Sequence, residues 1–442
     1  MKKFIAILLC KITKSLASLL GRGSSLPGKL ALKVCPDIIS RIKLPENIVA
    51  VTGSNGKTST TEMIYEILRH TNKSVVYNRE GSNQIEGVTT LLLCNSTLFG
   101  RFKEDILLLE VDERYAQYVF KYLYPKYYVI NNLYRDQMTR NGHPEFVLNE
   151  IKKSIRSESE LIINSDDPLV ASLGLNHPNN VYYFGIDDND YTSEDCNTVY
   201  DDGYYCPICK SKMVYEYRHF SNVGKYHCIN CDFRRIEPEF CITNMDLRNS
   251  KITINNRYEI NLAQNAINNA YNILAAFAAG FKLGANEEVL INSLNNYLIK
   301  NGRIRRFKIG DKSGTLLISK HENTTSYNNN LEYIINQNTD TTLLLIIDDI
   351  SRKYFTSDTS WLWDINFELL KNKNIKRIIV GGKYIWDVAT RFKYAGIDAD
   401  KVIYRKDVDI ATSYLRYSNT ENIYTMTCFS DEAKFLKEVT QL

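Results

Sequence analysis

The chain has 442 residues, which at roughly 150 residues per domain predicts two or three domains, each with its own core. Its 44% hydrophobic and 24% charged residues exclude a wholly disordered chain, and no apolar run approaches the ~18 residues of a membrane span. A formal charge of +4, from 55 basic and 51 acidic residues, gives no electrostatic footing for nucleic acid.

Residues 1–45 form a lead-in. Lys2 and Lys3 precede an apolar run, Phe4–Cys10, that Lys11 ends without a small-residue cleavage site, so a helix is expected rather than a signal peptide. Ile5, Leu8, Leu9, Ile12, Leu16, Leu19 and Leu20 recur at helical spacing, with Lys11, Lys14 and Ser15 between them. Two readings are open: the apolar face docks on the protein body, or a basic face rests on an anionic membrane surface. Arg22–Pro27 reads as a loop.

From Asn47 short apolar runs alternate with helical stretches. Strands are expected at Ile48–Val51, Lys73–Tyr77, Ile106–Val111, Tyr127–Ile130 and Leu161–Ile163, with a helix at Thr58–His70. This alternation predicts a parallel sheet covered on both faces. Further strands are expected at Lys251–Ile254 and Tyr258–Ile260, before a long helix, Ala266–Phe281. A second α/β pattern has strands at Thr315–Ile318, Leu343–Ile347 and Arg377–Val380. Its helices fall at Asn328–Asn336, Tyr384–Tyr394 and Asp431–Val439. The domains are therefore drawn as 46–300 and 301–442, with the boundary near Lys300–Gly302.

The first expected strand runs into Thr52-Gly-Ser-Asn-Gly-Lys-Thr58 and then a helix. Such a loop binds nucleotide phosphates. Gly53, Asn55 and Gly56 turn backbone N–H groups inward, Lys57 supplies positive charge, and Thr58 offers a hydroxyl to Mg²⁺. The usual phosphate-loop pattern wants a glycine where Val51 stands. Glu110 ends a strand and is placed to hold Mg²⁺, whereas Asp112 and Glu113 are expected to cap the next helix.

Asp187–Tyr205 is a polar, Tyr-rich break. Beyond it stand Cys206/Cys209 and Cys228/Cys231, two C-x₂-C pairs 18 residues apart, inside an insertion of about 196–236. Four thiolates at this spacing predict one structural Zn²⁺, its coordination sphere closed to a catalytic water, with His227 a neighbour rather than a ligand. Paired knuckles beside scattered thiols fit a reducing cytoplasm.

Taken together these residues resemble the Mur ligases, ATP-dependent enzymes that build the peptide stem of peptidoglycan, and more narrowly their MurT branch. The motifs are Gly21-Arg-Gly-Ser-Ser-Leu-Pro-Gly28, Val51–Thr58, Glu80-Gly-Ser-Asn83, Leu109-Glu-Val-Asp-Glu113 and Asn131-Asn-Leu-Tyr-Arg-Asp-Gln137. The two cysteine pairs, Asn269-Ala-Tyr-Asn272 and Asp358-Thr-Ser-Trp361-Leu-Trp-Asp364 complete the set. The resemblance implies a central Mur-type ATPase domain with a parallel sheet and an inserted zinc ribbon, followed by a Rossmann-like C-terminal α/β domain.

It also implies ATP-dependent amidation of the D-Glu α-carboxylate of lipid II to D-isoglutamine through an acyl phosphate. The ammonia would come from a GatD-like glutamine amidotransferase subunit in a heterodimer, in the cytoplasm or at the inner face of the membrane. Lys57 and Thr58 would hold ATP and Mg²⁺ with Glu110, Asn83 would lie near the γ-phosphate, and Asn269 would contact adenine. Asp358 would complete the partner's catalytic triad, although from its position alone Asp358 or Ser360 reads as a helix N-cap. The rival functions are a Mur-type ligase that adds an amino acid, and a non-catalytic nucleotide-binding scaffold. Departures from the family pattern at Arg305, His321 and Phe355 bear on the acceptor.

Overall fold

The computed structural model describes residues 1–18, 25–78, 83–196, 198–298, 303–320, 322–349 and 357–442. The chain forms two compact units. One comprises Met1–Leu133, Pro144–Asp195 and Asp202–Ile299; the other comprises Tyr134–His143, Cys196–Asp201 and Lys300–Leu442. The expected boundary at Lys300–Gly302 lies outside the described residues.

The first unit is built on β1 (Asn47–Thr52), β2 (Val75–Tyr77), β3 (Ile106–Glu110), β4 (Tyr127–Ile130), β5 (Glu160–Asn164) and β6 (Val181–Ile186). All six run parallel, in the order β6-β5-β4-β1-β3-β2. β3 and β4 are buried along their whole length, which is why they read as unbroken apolar runs rather than alternating ones. The two-stranded hairpin β7 (Met213–Phe220) and β8 (Val223–Cys228) carries the cysteines, and β9 (Phe240–Asp246), β10 (Lys251–Ile254) and β11 (Tyr258–Asn261) extend the sheet beyond β6. The expected parallel sheet is present, with an antiparallel edge at β9-β10-β11.

Buried polar groups anchor the hairpin. Asp166, just past β5, accepts from Arg235 Nε at 2.6 Å, Tyr271 Oη at 2.6 Å and Ile186 N at 2.7 Å, and Tyr226 Oη donates to Ser165 O at 3.0 Å. Burial holds His219 beside this network below its ordinary pKa, so its imidazole is neutral.

Helix α1 (Lys2–Ser18) forms as expected but docks a different face. Ala6, Ile7, Cys10 and Ala17 are buried, while Phe4, Ile5, Leu8, Ile12 and Leu16 face solvent. The cause is size. α1 packs on α2 (Leu26–Val34) and α4 (Ile85–Cys94), and the faces they share use Ala6, Cys10, Gly28 and Ala31. Small side chains let the helices approach closely, and Ile7 is the one large side chain among the four buried residues of α1. A Cβ on Gly28 would stand 1.9 Å from Glu86 O, and Gly28 N donates to Thr90 Oγ1 at 2.8 Å. Leu19, Leu20 and half of the expected Arg22–Pro27 loop lie outside the described residues, and Leu26 and Pro27 are helical instead. Pro27 itself starts α2, where its missing N–H costs nothing.

The second unit contains β12 (Ile304–Ile309), β13 (Lys312–Ser319), β14 (Thr341–Ile346), β15 (Ile375–Gly381), β16 (Val402–Arg405), β17 (Asn422–Cys428) and β18 (Thr440–Gln441). Their order is β16-β15-β14-β17-β13-β12-β18, parallel from β16 to β13 and antiparallel beyond. β17 was not expected, because its tyrosine and threonines hide a strand that is almost wholly buried. The helix expected at Asn328 begins at Thr324, where Asn323 Oδ1 accepts from Ser326 N at 2.8 Å, and the last helix shortens to Glu432–Leu436.

Side-chain bonds tie Tyr134–His143 into this unit. Asp136 is bonded by the Lys320 ammonium and by Asn323 Nδ2 at 2.8 Å, while Arg135 pairs with Asp364 at 2.9 Å. The Arg135 guanidinium also stacks 3.9 Å from the centre of the Tyr200 ring.

Replacing Gly28 with alanine drives a methyl into a backbone carbonyl rather than a movable side chain. We expect G28A to lose about 2 kcal/mol of stability in urea denaturation, the cost typical of overpacking. A variant within about 0.5 kcal/mol of the native chain would show that α2 shifts freely on α4.

Candidate functional site

The loop between β1 and α3 (Lys57–Leu68) is shaped by two glycines in the left-handed region, Gly53 at φ +139° and Gly56 at φ +81°. Gly56 is also a close approach, since a Cβ there would lie 2.0 Å from Asn272 Oδ1. α3 begins at the next residue with no side-chain cap, so the amino end of a 12-residue helix opens onto the loop.

Two asparagines following β4 brace the loop. Asn132 accepts from Ser54 N through its carbonyl at 2.9 Å and from Asn55 N through Oδ1 at 2.9 Å. Asn131 donates from its N–H to Thr52 O at 3.0 Å and from Nδ2 to Thr60 Oγ1 at 2.9 Å.

Lys57 turns back under this loop and is buried. Its ammonium donates to the carbonyls of Gly53 and Ser54 and pairs with Glu113 Oε2 at 2.9 Å. Glu113 was expected to cap a helix and instead neutralises the loop lysine. A cap can lie in solvent, but a buried ammonium requires a buried carboxylate. Asp112 does not cap the next helix either: its Oδ1 accepts from Arg114 N at 3.1 Å within the preceding turn, and the helix Ala116–Val119 has no side-chain cap. Thr58 is exposed on the first turn of α3. Glu110 is buried opposite Val51 in the β3–β1 register, and Asn78 grips its N–H and C=O, each at 2.8 Å. Thus Gly53, Asn55, Gly56, Lys57, Thr58 and Glu110 gather at one end of the sheet.

Asn83 reaches this region through its backbone, accepting from Asp112 N at 3.3 Å; residues 79–82 before it lie outside the described residues. Asn269 is buried on the helix Ile267–Lys282, one turn before Asn272, and donates to Gln264 O at 3.1 Å. The residues that sequence reasoning passed over are Glu113, the Asn131–Asn132 brace and Asn272. Their signal was a pair of amides directly after an apolar strand.

The four cysteines converge. Cys206 and Cys231 sulfurs lie 3.7 Å apart, Cys209 and Cys228 sulfurs 3.4 Å, and all four within 4.8 Å. These gaps are far too long for a disulfide near ~2.05 Å and close to the ~3.8 Å edge of a sulfur tetrahedron drawn around zinc at about 2.3 Å. Ile208 N and Asn230 N donate to Cys206 and Cys228 sulfurs, each at 3.4 Å. Ser211, through its hydroxyl and N–H, brings the Cys209 thiol down to about 6, toward the thiolate a metal needs. Among the described residues, His227 is not part of the cluster.

In the second unit Asp358 is exposed, and its Oδ1 accepts from Ser360 N at 2.8 Å. The Ser360 hydroxyl and N–H hold its carboxyl below the usual carboxylate range. Asp364 of the same motif pairs with Arg135, and Arg305, a base where the family has an acid, meets Glu432 at 2.6 Å. His321 and Phe355 lie outside the described residues.

The Mur ligase middle domain family matches residues 51–231, and the MurT ligase C-terminal family matches residues 321–431. The MurT subunit of lipid II isoglutaminyl synthase (glutamine-hydrolyzing) from Staphylococcus aureus is 31% identical over 418 residues, covering 93% of this chain and 92% of that one. Its counterpart from Streptococcus pneumoniae is 30% identical over 453 residues, covering 98% and 96%. Among solved structures, a pseudomurein peptide ligase type C from Methanothermus fervidus shares the fold at a TM-score of 0.67 and 22% identity, over 91% of this chain and 80% of that one. MurF from Acinetobacter baumannii does so at 0.62 and 15%, over 92% and 80%.

The buried pair yields a stability test. Glu113→Gln leaves the Lys57 ammonium without a counter-charge, and we expect a loss of about 3 kcal/mol in urea denaturation. Adding Lys57→Met should restore much of it, because no isolated charge then remains buried. Equal stability of Glu113→Gln and the native chain would mean that Lys57 finds other compensation.

Proposed function

The chain belongs to the MurT family of Mur-type ATP-dependent ligases, and we propose that it amidates the α-carboxylate of D-Glu in lipid II. The observation that carries this reading is the braced loop with Lys57 and Glu110, set in a chain that matches these synthetase subunits almost end to end.

The residues fit ATP and Mg²⁺. Backbone N–H groups at the start of α3 and the Lys57 ammonium face phosphate oxygens, while the Thr58 hydroxyl and Glu110 offer oxygens to the metal. The co-substrate supplies a phosphoryl group, which converts the carboxylate to an acyl phosphate. Ammonia then attacks the carbonyl carbon and phosphate leaves. The protein's share is positioning and charge: Lys57, already oriented by Glu113, stabilises negative charge without reorganising. Asn83 and Asn269 take the γ-phosphate and adenine sides.

A glutaminase subunit of the GatD type supplies the ammonia in this reading, with Asp358 orienting the partner's histidine. The sheet of the second unit is read as Rossmann-like, and the cysteine hairpin as a zinc ribbon closed around one structural Zn²⁺. Its four sulfurs satisfy a tetrahedral ion and leave no site for water.

Three measurements test this. Lys57→Met/Glu113→Gln, which leaves no isolated charge buried, should abolish formation of amidated lipid II, read by mass, while keeping much of the native stability. Near-normal product would remove the ligase reading, and product carrying an added amino acid would replace ammonia with an amine. Metal analysis of protein purified under reducing conditions should find one Zn²⁺ per chain, and Cys228→Ser should lower thermal stability before it lowers turnover. Finally, Asp358→Asn should suppress glutamine-driven amidation and spare amidation driven by ammonium chloride, with Asp364→Asn as comparison. Equal loss with both nitrogen sources would reduce Asp358 to a cap worth about 1 kcal/mol.

A further inference from the structure

The outer face of α1 is unlike the rest of the surface. Phe4, Ile5, Leu8, Ile12 and Leu16 are all exposed, and at about 100° per residue they fall within an arc of about 120°. Lys11 lies at one border of that arc, held by Cys94 O at 2.7 Å, and Lys2 lies at the other. A separate exposed phenylalanine lies near the start of the helix. Gly100, with no side chain of its own, packs on the Lys3 stem, which brings the turn Thr97–Gly100 beside the first turn of α1. That turn presents Phe99, 84% exposed, next to the exposed Arg101.

Charge singles out the same segment. Residues 1–36 contain Lys2, Lys3, Lys11, Lys14, Arg22, Lys29 and Lys33 and no acidic residue, although the whole chain carries only +4. The remaining residues are therefore net negative, at −3.

We propose that the exposed face of α1 seats the protein on an anionic lipid bilayer. The apolar stripe enters the headgroup boundary with the Lys2 ammonium at one border placed for the lipid phosphates, while the Lys11 ammonium at the other, held by Cys94 O, adds its charge to the segment. The bound face is thus an apolar stripe edged with lysines rather than the basic face considered from sequence. No helix among the described residues is long and apolar enough to cross a membrane, so the attachment is to one leaflet. A protein groove is the alternative occupant. An uninterrupted run of bases without one acid suits a uniformly anionic surface better than a mixed-charge protein interface.

The test is co-sedimentation of the full chain with vesicles of phosphatidylglycerol and phosphatidylcholine, and with vesicles of phosphatidylcholine alone. Neither holds lipid II or nucleotide, so failure here leaves the ligase reading standing. Binding is expected to the anionic vesicles only, and to weaken as salt rises. Leu8→Gln/Ile12→Gln/Leu16→Gln should lower the partition coefficient about tenfold or more with unchanged helicity and melting temperature. Phe146→Gln, an exposed phenylalanine on another helix, should not change it. The proposal is overturned if the native chain ignores anionic vesicles or if the triple variant binds as it does. It is also overturned if sedimentation velocity shows a native dimer that the triple variant makes monomeric.

Discussion

A lysine ammonium withdrawn from water needs negative charge around it, and the first unit is arranged so that Lys57 has it. Two loop carbonyls and the Glu113 carboxylate close on the Nζ atom. Those carbonyls point inward because Gly53 and Gly56 adopt conformations that other residues resist. Glu113 arrives because β3 pairs with β1 in a register that sets Glu110 against Val51, and the chain then runs three residues further. A shift of β3 by one residue would move Glu113 out of reach and leave the charge bare. The sheet register and the site are therefore one constraint.

Much of this was legible in the sequence, and the parts that were not share a cause. Apolar runs located β1, β3, β4 and β5, and the glycine–lysine loop announced its own purpose, because both signals are local. β17 escaped, since a strand buried through threonine and tyrosine has no aliphatic signature. Glu113 was misread because a carboxylate before a helical turn looks the same whether it caps the turn or meets a lysine 56 residues away in sequence. α1 was recognised as a helix but assigned the wrong inner face. Periodicity marks where the large apolar side chains lie, yet the face that docks carries Ala6, Ile7, Cys10 and Ala17.

The second unit shows the same dependence on distant partners. The departures from the family pattern bear on the acceptor in sequence, and one of them has a partner of its own: Arg305 meets Glu432. Asp348, Asp349 and Asp431 form an acidic cluster in which Lys434 occupies the place of a cation. Its ammonium bonds Asp348, lies 2.6 Å from Asp349 and 3.1 Å from Asp431, and is itself held above the usual lysine range by them. With an ammonium already at its centre, this cluster serves the packing of the sheet edge and does not call for a metal.

Asp358 joins two roles that sequence reasoning set against each other. Ser360 N donates to the carboxylate just ahead of the turn Ser360–Asp364, and Ser360 holds its pKa below the usual carboxylate range. A carboxylate that orients a histidine needs both properties: a fixed direction to select the tautomer, and a retained negative charge to stabilise the imidazolium. A side chain free of any cap would have to lose rotamer freedom on binding the partner, and its affinity for the histidine would fall accordingly. The turn that begins at Asp358 thus prepares the carboxylate for the proposed glutaminase triad. In the proposed reading the local structural role supports the catalytic one rather than competing with it.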